Sequence, residues 1–351
     1  ILDLLSERAE IVTKIGEQKN SNNDVVDYER EQRVLDRILQ NSKTKYSKDS
    51  IVRIWREIFQ ASIKLQEKDK SIIDTKRSIN SIKIYKGGKS SLGGKTNIIK
   101  LSSNENSYGP SPKVFEKINI ENTISKSNRH PNIDGSQLRD KLAIVNKIDP
   151  NRIVLGCGSD ETLMFAALAF CKDGDEIIHA QHGFEMYSII TKIVGATSRV
   201  IKEDKDYKVQ VSSVLKNVNA STKIVYLANP NNPTGSYLTS SEIINLLEKL
   251  PKNIILVLDG AYAEYVTKAD YDSSFSLADK FENVILTRTF SKAYGLAGLR
   301  IGWCYSSEKV ASILNKVKGP FNTQDIAQEM AMIALDDKKY LNLIIKNNIE
   351  I

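Results

Sequence analysis

The stretch TRTFSKAYGLAGLRIG, from Thr287 to Gly302, decides the fold of most of this chain. It continues a short apolar run that is typical of a buried strand, and its hydroxyl residues Thr289 and Ser291 come just before Lys292. A lysine shielded from water has a lowered pKa and becomes a Schiff-base nucleophile. Arg300 follows beyond a glycine-rich turn, where its planar fork could bind a phosphate. On this stretch alone, a solvated lysine in an ordinary strand–turn–helix remains the alternative.

The composition of the 351-residue chain is ordinary for a globular protein, with 41% hydrophobic and 26% charged residues. This length suffices for one large domain and a smaller one. The net charge of +7 is spread along the chain, so we expect no nucleic-acid surface, which would show a concentrated basic stripe with aromatic residues. No apolar run reaches the roughly 18 residues of a membrane span, and the charged first turns do not fit a signal peptide.

The cysteines and histidines predict neither disulfides nor a metal site. Cys157, Cys171 and Cys304 show no CxxC spacing and are odd in number, which favours a reducing compartment, the cytoplasm. His179 and His182 are three residues apart, but no cluster of acids or thiols joins them. We therefore expect no metal ion.

Residues 1–84 predict three helices, because apolar side chains recur there at helical spacing. The apolar positions run from Leu4 to Ile15, from Val34 to Leu39 and from Ile51 to Leu65. Ser47 or Asp49 could cap the third helix. Several polar residues lie where these stripes are otherwise apolar, and they are Arg8, Lys19, Asp27, Arg30, Glu31, Ser62 and Gln66. Cations turned into a helical bundle would suit a small dianion, whereas a solvated face is the alternative for any one residue.

The segments LLSERAEIVTKIGEQK (4–19), DYEREQ (27–32) and FQASIKLQ (59–66) resemble the all-helical chorismate mutase family. The resemblance implies that Arg8, Lys19 and Arg30 bind the carboxylates and the ether oxygen of chorismate. It implies a pocket completed by Asp27, Glu31, Ser62 and Gln66, with Lys19, Gln66 and Glu31 as catalytic residues. Rearrangement to prephenate needs a held conformer and charge placed against the breaking C–O bond. A further family arginine, donated by the partner chain of a dimer, would precede Ile1.

Residues 85–97 (YKGGKSSLGGKTN) predict a flexible linker, because Gly-Gly pairs, serines and lysines rarely pack into a core. From residue 98 to 351, strand and helix signals alternate as in an open α/β sheet. The predicted strands lie at residues 153–155, 177–178, 224–228, 254–258 and 284–286.

Three of these strands end in residues suited to a ligand site. The first leads into a Gly-x-Gly turn at 156–158, where backbone amides can approach an anion at a helix N-terminus. The motif NPNNPTG (229–235) offers Asn232 at the carboxyl end of a strand, where ligands bind in such sheets. Asp259 follows five apolar residues, and a buried acid there needs a cationic or hydrogen-bonded partner.

The motifs NPNNPTG, LDGAYAEY (258–265) and TFSKAYGLAGLRIG (289–302) resemble class I and II pyridoxal-phosphate aminotransferases. The motif LSSNENSYGPSP (101–112) narrows the resemblance to the histidinol-phosphate branch. The resemblance implies an all-α chorismate-mutase-like domain followed by an α/β PLP-dependent transferase large domain of fold type I. The chain stops inside a helical run, so we expect a truncated small C-terminal domain that lacks the arginine for the substrate α-carboxylate.

The resemblance assigns roles residue by residue. Lys292 would bond to the cofactor as its internal aldimine and later move a proton between the substrate Cα and the cofactor C4′. Asp259 would pair with the pyridinium nitrogen, and Asn232 and Tyr262 with the phenolic oxygen. The remaining assignments are the phosphate side for Ser159, Asp160 (through its backbone N–H), Thr289, Ser291 and Arg300, ring stacking for Phe184, and substrate binding for Asn104.

His130-Pro131 stands where the family usually has Tyr-Pro, whose tyrosine reaches a neighbouring subunit's cofactor phosphate. An imidazole could hydrogen-bond likewise, or it could be a solvated loop histidine. The leading hypothesis is a homodimeric bifunctional enzyme that makes prephenate and transaminates prephenate or an aromatic 2-oxo acid, with an amino acid as donor. The alternatives are a histidinol-phosphate aminotransferase with a non-catalytic helical module, and decarboxylation on the same fold.

Overall fold

A computed structural model of the protein describes residues 1–18, 28–41, 44–66, 76–85, 102–125, 127–272 and 275–351. The chain divides into two compact units, a helical one within residues 1–80 and a sheet-containing one within 81–218 and 222–351. Of the predicted linker, residues 86–97 lie outside the described residues. In the described part of the chain, no helix combines the length and the apolar character needed to cross a membrane.

The helical unit contains the three predicted helices and a short fourth one. These are α1 (Leu2–Glu17), α2 (Tyr28–Asn41), α3 (Lys48–Lys64) and α4 (Arg77–Asn80). Of the two candidate caps, Ser47 is the one that begins α3, because its side chain accepts a hydrogen bond from the Ser50 backbone N–H. The apolar stripes meet in a small core of Val12, Leu35, Ile51, Val52, Phe59 and Ile63.

Seven strands form one sheet in the second unit. They are β1 (Ile153–Gly156), β2 (Glu176–Ala180), β3 (Thr197–Ile201), β4 (Thr222–Ala228), β5 (Ile255–Asp259), β6 (Val284–Thr289) and β7 (Gly302–Ser306). Their order is β1-β7-β6-β5-β4-β2-β3, in which β7 runs antiparallel to both of its neighbours, β1 and β6, and the other neighbouring pairs are parallel.

The five predicted strands are confirmed, and β3 and β7 were missed. β3 is an edge strand whose residues are mostly half-exposed, so it lacks the apolar run of a buried strand. β7 is fully buried but short, and its sequence GWCYS begins with glycine and ends with serine. The lysine stretch is therefore not a strand–turn–helix: β6 leads into a loop with one 3₁₀ turn, Ala297–Leu299, and returns as β7.

Helices cover both faces of this sheet. They are α5 (Pro112–Lys117), α6 (Ile120–Ser125), α7 (Ser136–Asn146), α8 (Ser159–Phe170), α9 (Met186–Ile193), α10 (Val211–Asn217), α11 (Ser240–Lys249), α12 (Leu277–Lys280), α13 (Glu308–Val317), α14 (Asp325–Asp336) and α15 (Lys338–Glu350). Neighbouring strand residues contribute to two separate cores: Ile224 and Ile285 pack on one face, and Val225 and Leu286 on the other. Side chains alternate across a strand, so both faces of these central strands are buried.

The topology brings the ends of the parallel strands together. Ala228 at the end of β4 is paired with Asp259 at the end of β5, and Asp259 is paired with Thr287 in β6. The loops that follow β4, β5 and β6 therefore begin side by side. This is the carboxyl edge of the sheet, where open α/β folds bind their ligands.

Candidate active site

A cleft of about 530 Å³ opens at the carboxyl edge of the sheet. It brings together all but one of the residues that the sequence predicted for the second unit. The predicted residues that line it are Asn104, Ser159, Asp160, Phe184, Asn232, Asp259, Tyr262, Thr289, Ser291, Lys292 and Arg300. These residues come from six separate parts of the chain, so the fold alone assembles the site.

Lys292 extends into the cleft from the loop after β6. Its Nζ donates a hydrogen bond to the backbone carbonyl of Ser103 at 2.7 Å and lies 5.5 Å from the centre of the Tyr262 ring. Burial lowers the pKa of the lysine, an effect that the nearby carboxylates of Asp160 and Glu105 partly oppose. A lowered pKa leaves more of the amine neutral, which is the form that attacks an aldehyde.

Asp259 ends β5 and is only 4% exposed. Its carboxylate accepts hydrogen bonds from Tyr187 Oη at 2.9 Å, from Thr287 Oγ1 at 3.0 Å and from the Ala261 backbone N–H at 3.2 Å. Burial raises the pKa of Asp259, although these hydrogen bonds act to lower it. The three donors are neutral, so a cationic group in the cleft would stabilise the carboxylate further.

Asn104 ties together three of the segments that line the cleft. Its Nδ2 donates to Tyr262 Oη at 2.9 Å and approaches Asn232 Oδ1 at 3.4 Å. Both Ser103 and Asn104 have positive φ angles, 74° and 51°, a backbone conformation that asparagine adopts more readily than most residues. Burial also raises the pKa of Tyr262, so the phenol stays protonated near neutral pH and can donate a hydrogen bond.

Arg300 links the hydroxyl residues to the start of α8. Its Nη1 donates to Ser291 Oγ at 3.3 Å, and its Nη2 lies 3.2 Å from Asp160 Oδ2. Ser291 Oγ also accepts a hydrogen bond from Thr289 Oγ1 at 3.0 Å. We expected Asp160 to act through its backbone, but its side chain also takes part, since it pairs with the arginine. Burial raises the pKa of this carboxyl, and Arg300 counters the increase.

Two glycines allow the arginine and the helix N-terminus to approach each other. A Cβ on Gly158 would lie 2.4 Å from Arg300 Nη2, and a Cβ on Gly302 would lie 2.4 Å from the Ser159 backbone nitrogen. Gly158 also has a φ of +81°, which side chains rarely permit. The result is a cradle of N–H groups, hydroxyls and a guanidinium at the start of α8, an arrangement that suits a phosphate.

Phe184 lies at the cleft and stands edge-on to Tyr187, with ring centroids 5.8 Å apart. His130 is the exception among the predicted residues: it is exposed, stacks on Phe321 at 4.5 Å and does not line the cleft of its own chain. Its predicted contact with a neighbouring subunit's cofactor stays a prediction.

The sequence missed three contacts of the site. Thr287 opens the lysine stretch but is not among the predicted site residues. Tyr187 and Ser103 had no local signal, because their partners Asp259 and Lys292 are 72 and 189 residues away in the chain. No spacing rule connects residues so far apart.

The helical unit brings three of its predicted residues together. Arg8 Nε donates to Ser62 Oγ at 3.2 Å, and its guanidinium lies 5.8 Å from the centre of the Phe59 ring. Gln66 Nε2 donates to the Ser62 carbonyl at 3.2 Å. Gln66 Oε1 is buried and accepts no hydrogen bond from the described residues.

Of the other four predicted residues of this unit, two lie in the described part of the chain. On α2, Arg30 is exposed and Glu31 is half-buried. Lys19 and Asp27 lie outside the described residues. The pocket implied by the resemblance is thus only partly represented in the described structure.

Comparison with known families agrees with the geometry of the cleft. Residues 96–348 match the sequence profile of the family described as aminotransferase class I and II. The chain belongs to this aminotransferase family. Residues 1–67 match the profile of chorismate mutase type II, so the chain carries a chorismate mutase domain before its aminotransferase part.

Several relatives of this chain are histidinol-phosphate aminotransferases. The chain is 44% identical to the histidinol-phosphate aminotransferase of Ruegeria pomeroyi over 263 residues, 75% of this chain and 72% of that protein. It is 44% identical to that of Pelagibacter ubique over 268 residues, 76% of this chain and 74% of the relative. The crystal structure of the Sinorhizobium meliloti enzyme with pyridoxal-5'-phosphate aligns with a TM-score of 0.67 at 29% identity, covering 71% of this chain and 67% of that one.

The cofactor of this aminotransferase is pyridoxal phosphate, and the residues of the cleft fit it. The buried carboxylate of Asp259 suits a cationic ring nitrogen, and the cradle at Arg300 suits a phosphate. The Lys292 amine lies in the same cleft, where its lowered pKa suits attack on an aldehyde.

Proposed function

We propose that the protein is a bifunctional enzyme of aromatic amino-acid synthesis, which rearranges chorismate to prephenate and transaminates prephenate or an aromatic 2-oxo acid. The observation that carries the proposal is that one chain joins a chorismate mutase match at residues 1–67 to an aminotransferase match at 96–348. A tether keeps two active sites at a raised effective concentration, which favours consecutive reactions. The proposed boundaries are residues 1–84, a linker at 85–97 and residues 98–351.

In the aminotransferase part, each residue of the cleft would have a separate role. Lys292 Nζ would hold the cofactor covalently and then take the proton from the substrate Cα. Asp259 would keep a proton on the ring nitrogen, and Asn232 and Tyr262 would hydrogen-bond the phenolic oxygen. The bound cofactor supplies an electron sink for the substrate carbon. The cofactor phosphate would be held by Arg300, Ser159, Asp160, Thr289 and Ser291. Phe184 would stack on the cofactor ring, and Asn104 would contact the substrate.

In the helical part, no covalent chemistry is needed. Arg8, Lys19 and Arg30 would hold the substrate carboxylates, and Lys19 and Gln66 would place positive charge or a hydrogen bond at the ether oxygen. A held conformer and matched electrostatics lower the barrier of a pericyclic step. Asp27, Glu31 and Ser62 would complete the pocket, and the hydrogen bond from Arg8 to Ser62 supports a shared position for these two.

Histidinol-phosphate transamination is the second candidate, with the helical domain as a dimerisation or sensing module. The observation that favours it is the 44% identity to histidinol-phosphate aminotransferases. The two functions differ in the amino acceptor, which would be imidazole-acetol phosphate for the second candidate. A transamination assay should therefore compare prephenate, 4-hydroxyphenylpyruvate and imidazole-acetol phosphate. Higher kcat/KM with either of the first two supports the bifunctional enzyme, and a clear preference for the third rejects it.

Two substitutions separate the two activities. Lys292→Ala should abolish transamination and the visible absorbance of the lysine-bound cofactor while chorismate consumption continues. Arg8→Ala should abolish chorismate consumption while transamination continues. Lys14→Ala, an exposed change on the same helix as Arg8, is the matched control and should affect neither. If wild-type protein consumes no chorismate, the mutase part of the proposal is rejected.

A homodimer in the cytoplasm also belongs to this proposal. Its support is an apolar stripe on α1 formed by Leu4, Ile11 and Ile15, which are 68%, 60% and 40% exposed and lie near one face of the helix. A second copy of the chain could cover this apolar stripe. Such a dimer could also bring His130 to the partner's cofactor. Light scattering that gives the mass of a monomer would reject this part.

A further inference from the structure

Arg288 is a buried arginine that takes no part in the proposed chemistry. It lies in β6 between Thr287, which donates to Asp259, and Thr289, which lines the cleft. Because side chains alternate along a strand, the Arg288 side chain is on the opposite face of the sheet. There it lines a small separate cavity with Leu286, and it is only 6% exposed.

The guanidinium of Arg288 lies against the backbone of Gly260. Its Nη1 donates to the Thr287 carbonyl at 2.8 Å, and the Gly260 N–H donates to the same carbonyl at 3.2 Å. A Cβ at position 260 would lie 1.9 Å from Nη1, so a side chain there would collide with the arginine. The guanidinium also stacks on Phe275, 4.9 Å from the ring centre. One carbonyl therefore joins the arginine to the turn after β5.

This turn carries two of the cleft residues. Asp259 comes directly before Gly260, and Tyr262 follows two residues later, so a shift of the Gly260 backbone moves both side chains. The turn also leads to Glu264, which is half-buried, with its Oε2 atom shielded from solvent. Burial raises the pKa of Glu264, and the nearby Arg288 guanidinium acts to lower it. The arginine is therefore bound to the turn by charge as well as by hydrogen bonding.

A third segment of the cleft reaches the same small cavity. Tyr271 and Asn229 line it together with Arg288 and Gly260. Tyr271 Oη donates to the Asn229 carbonyl at 2.6 Å, at the start of the loop that carries Asn232. The back of the cleft is thus one packed assembly that includes the guanidinium.

We propose that Arg288 is a positioning residue for the cofactor: from the face of the sheet opposite to Thr289, it holds the Gly260 turn and thereby sets where Asp259 and Tyr262 meet the cofactor ring. It touches neither cofactor nor substrate. The proposal rests on the cleft binding pyridoxal phosphate and is independent of which acceptor is transaminated. Lysine cannot replace this arginine, because one ammonium cannot bond a carbonyl and stack on a ring in the same geometry.

The test compares Arg288→Lys with wild type in the full-length protein. The readouts are the dissociation constant of pyridoxal phosphate and the pH midpoint of the visible absorption band of the bound cofactor, both measured without substrate. We expect the dissociation constant to rise about tenfold, which corresponds to about 1.4 kcal/mol, and the midpoint to shift. Phe275→Leu, which keeps the arginine but removes the ring beneath it, should shift both readouts in the same direction by less.

Arg152→Lys is the matched control. Arg152 also bonds backbone carbonyls, those of Ser306 and Ala278, and stacks on an aromatic ring, that of Tyr305 at 4.5 Å, but it is not part of the cleft-bearing turn. It should lower the unfolding temperature while leaving both cofactor readouts unchanged. The proposal is overturned if Arg288→Lys binds the cofactor with wild-type affinity and spectrum, or if Arg152→Lys changes them equally. If Arg288→Lys does not fold, Phe275→Leu decides in the same way.

Discussion

The buried carboxyl of Asp259 affects the stability of the folded protein even when no ligand is bound. It is a buried carboxyl whose hydrogen-bond donors among the described residues are two hydroxyls and a backbone N–H, and its pKa is raised. The folded protein therefore binds this proton more tightly than the unfolded chain does. As the pH rises from the unfolded pKa toward the raised folded pKa, the contribution of this group to stability is lost.

Replacing Asp259 with asparagine tests this pH-dependent loss of stability. Because Asp259→Asn cannot ionise, the cofactor-free variant should become progressively more stable to thermal unfolding relative to wild type as the pH rises through that window. The same variant should bind pyridoxal phosphate more weakly, since the partner of the ring nitrogen is lost. A stability difference that is the same at every pH would contradict the assignment of a raised pKa.

Substitution of Gly158 tests whether the cradle at the start of α8 binds the cofactor phosphate. Gly158→Ala places a Cβ against Arg300 Nη2 and forces an unfavourable backbone angle, a strain of about 1–3 kcal/mol. We expect about tenfold or greater loss of pyridoxal-phosphate affinity, measured by equilibrium binding. Gly298→Ala is the control, because Gly298 lines the same cleft and nothing lies within 4 Å of its added Cβ. Equal losses in the two variants would exclude the cradle as the cause.

At the scale of elements, the helical unit depends on how closely α1 approaches the end of α3. Gly16 is buried, and a Cβ there would lie 2.9 Å from the Gln66 Cα, which is backbone and cannot rotate away. The pair formed by Arg8 and Ser62 joins the same two helices. The close approach of α1 and α3 therefore sets the positions of the predicted mutase residues Arg8 and Ser62.

Gly16→Ala should push these helices apart. We expect a loss of about 1–3 kcal/mol in the stability of the helical unit, as for other overpacked sites, together with a larger fractional loss of chorismate consumption than of transamination. The unfolding of this unit and both activities would be measured in the full chain. Lys14→Ala, two residues away and exposed, should change none of them. A variant with full mutase activity would show that the crossing does not control the pocket.

The sheet shows the same dependence of function on whole elements. β4, β5 and β6 are parallel neighbours, so their following loops start together and supply Asn232, Asp259 and Lys292. β7 returns antiparallel beside β6, which brings Arg300 back to the start of α8. Short apolar runs predicted β4, β5 and β6, whereas β7 was not predicted, and its pairing depends on contacts along the whole sheet.

At the scale of the whole molecule, the two units form separate compact bodies, and the composition of residues 85–97 predicts a flexible connection. A protease site inserted in this segment should allow one cut that leaves both activities at near wild-type kcat/KM. Uncut protein with the same insertion is the control. Loss of either activity on cutting, with both fragments still folded by circular dichroism, would contradict independent function.

The sequence by itself determined the class of this protein, because the signals for it are local. Helical spacing, a cap at Ser47 or Asp49, five of the seven described strands and the motifs around Asn232, Asp259 and Lys292 each depend on neighbouring residues. The tertiary structure alone decided which groups meet. Tyr187 donates a hydrogen bond to Asp259, the Ser103 carbonyl accepts one from Lys292, and the Arg288 guanidinium lies against Gly260. Such contacts join residues far apart in the chain, and only the packing of the sheet and its covering helices brings them within hydrogen-bonding distance.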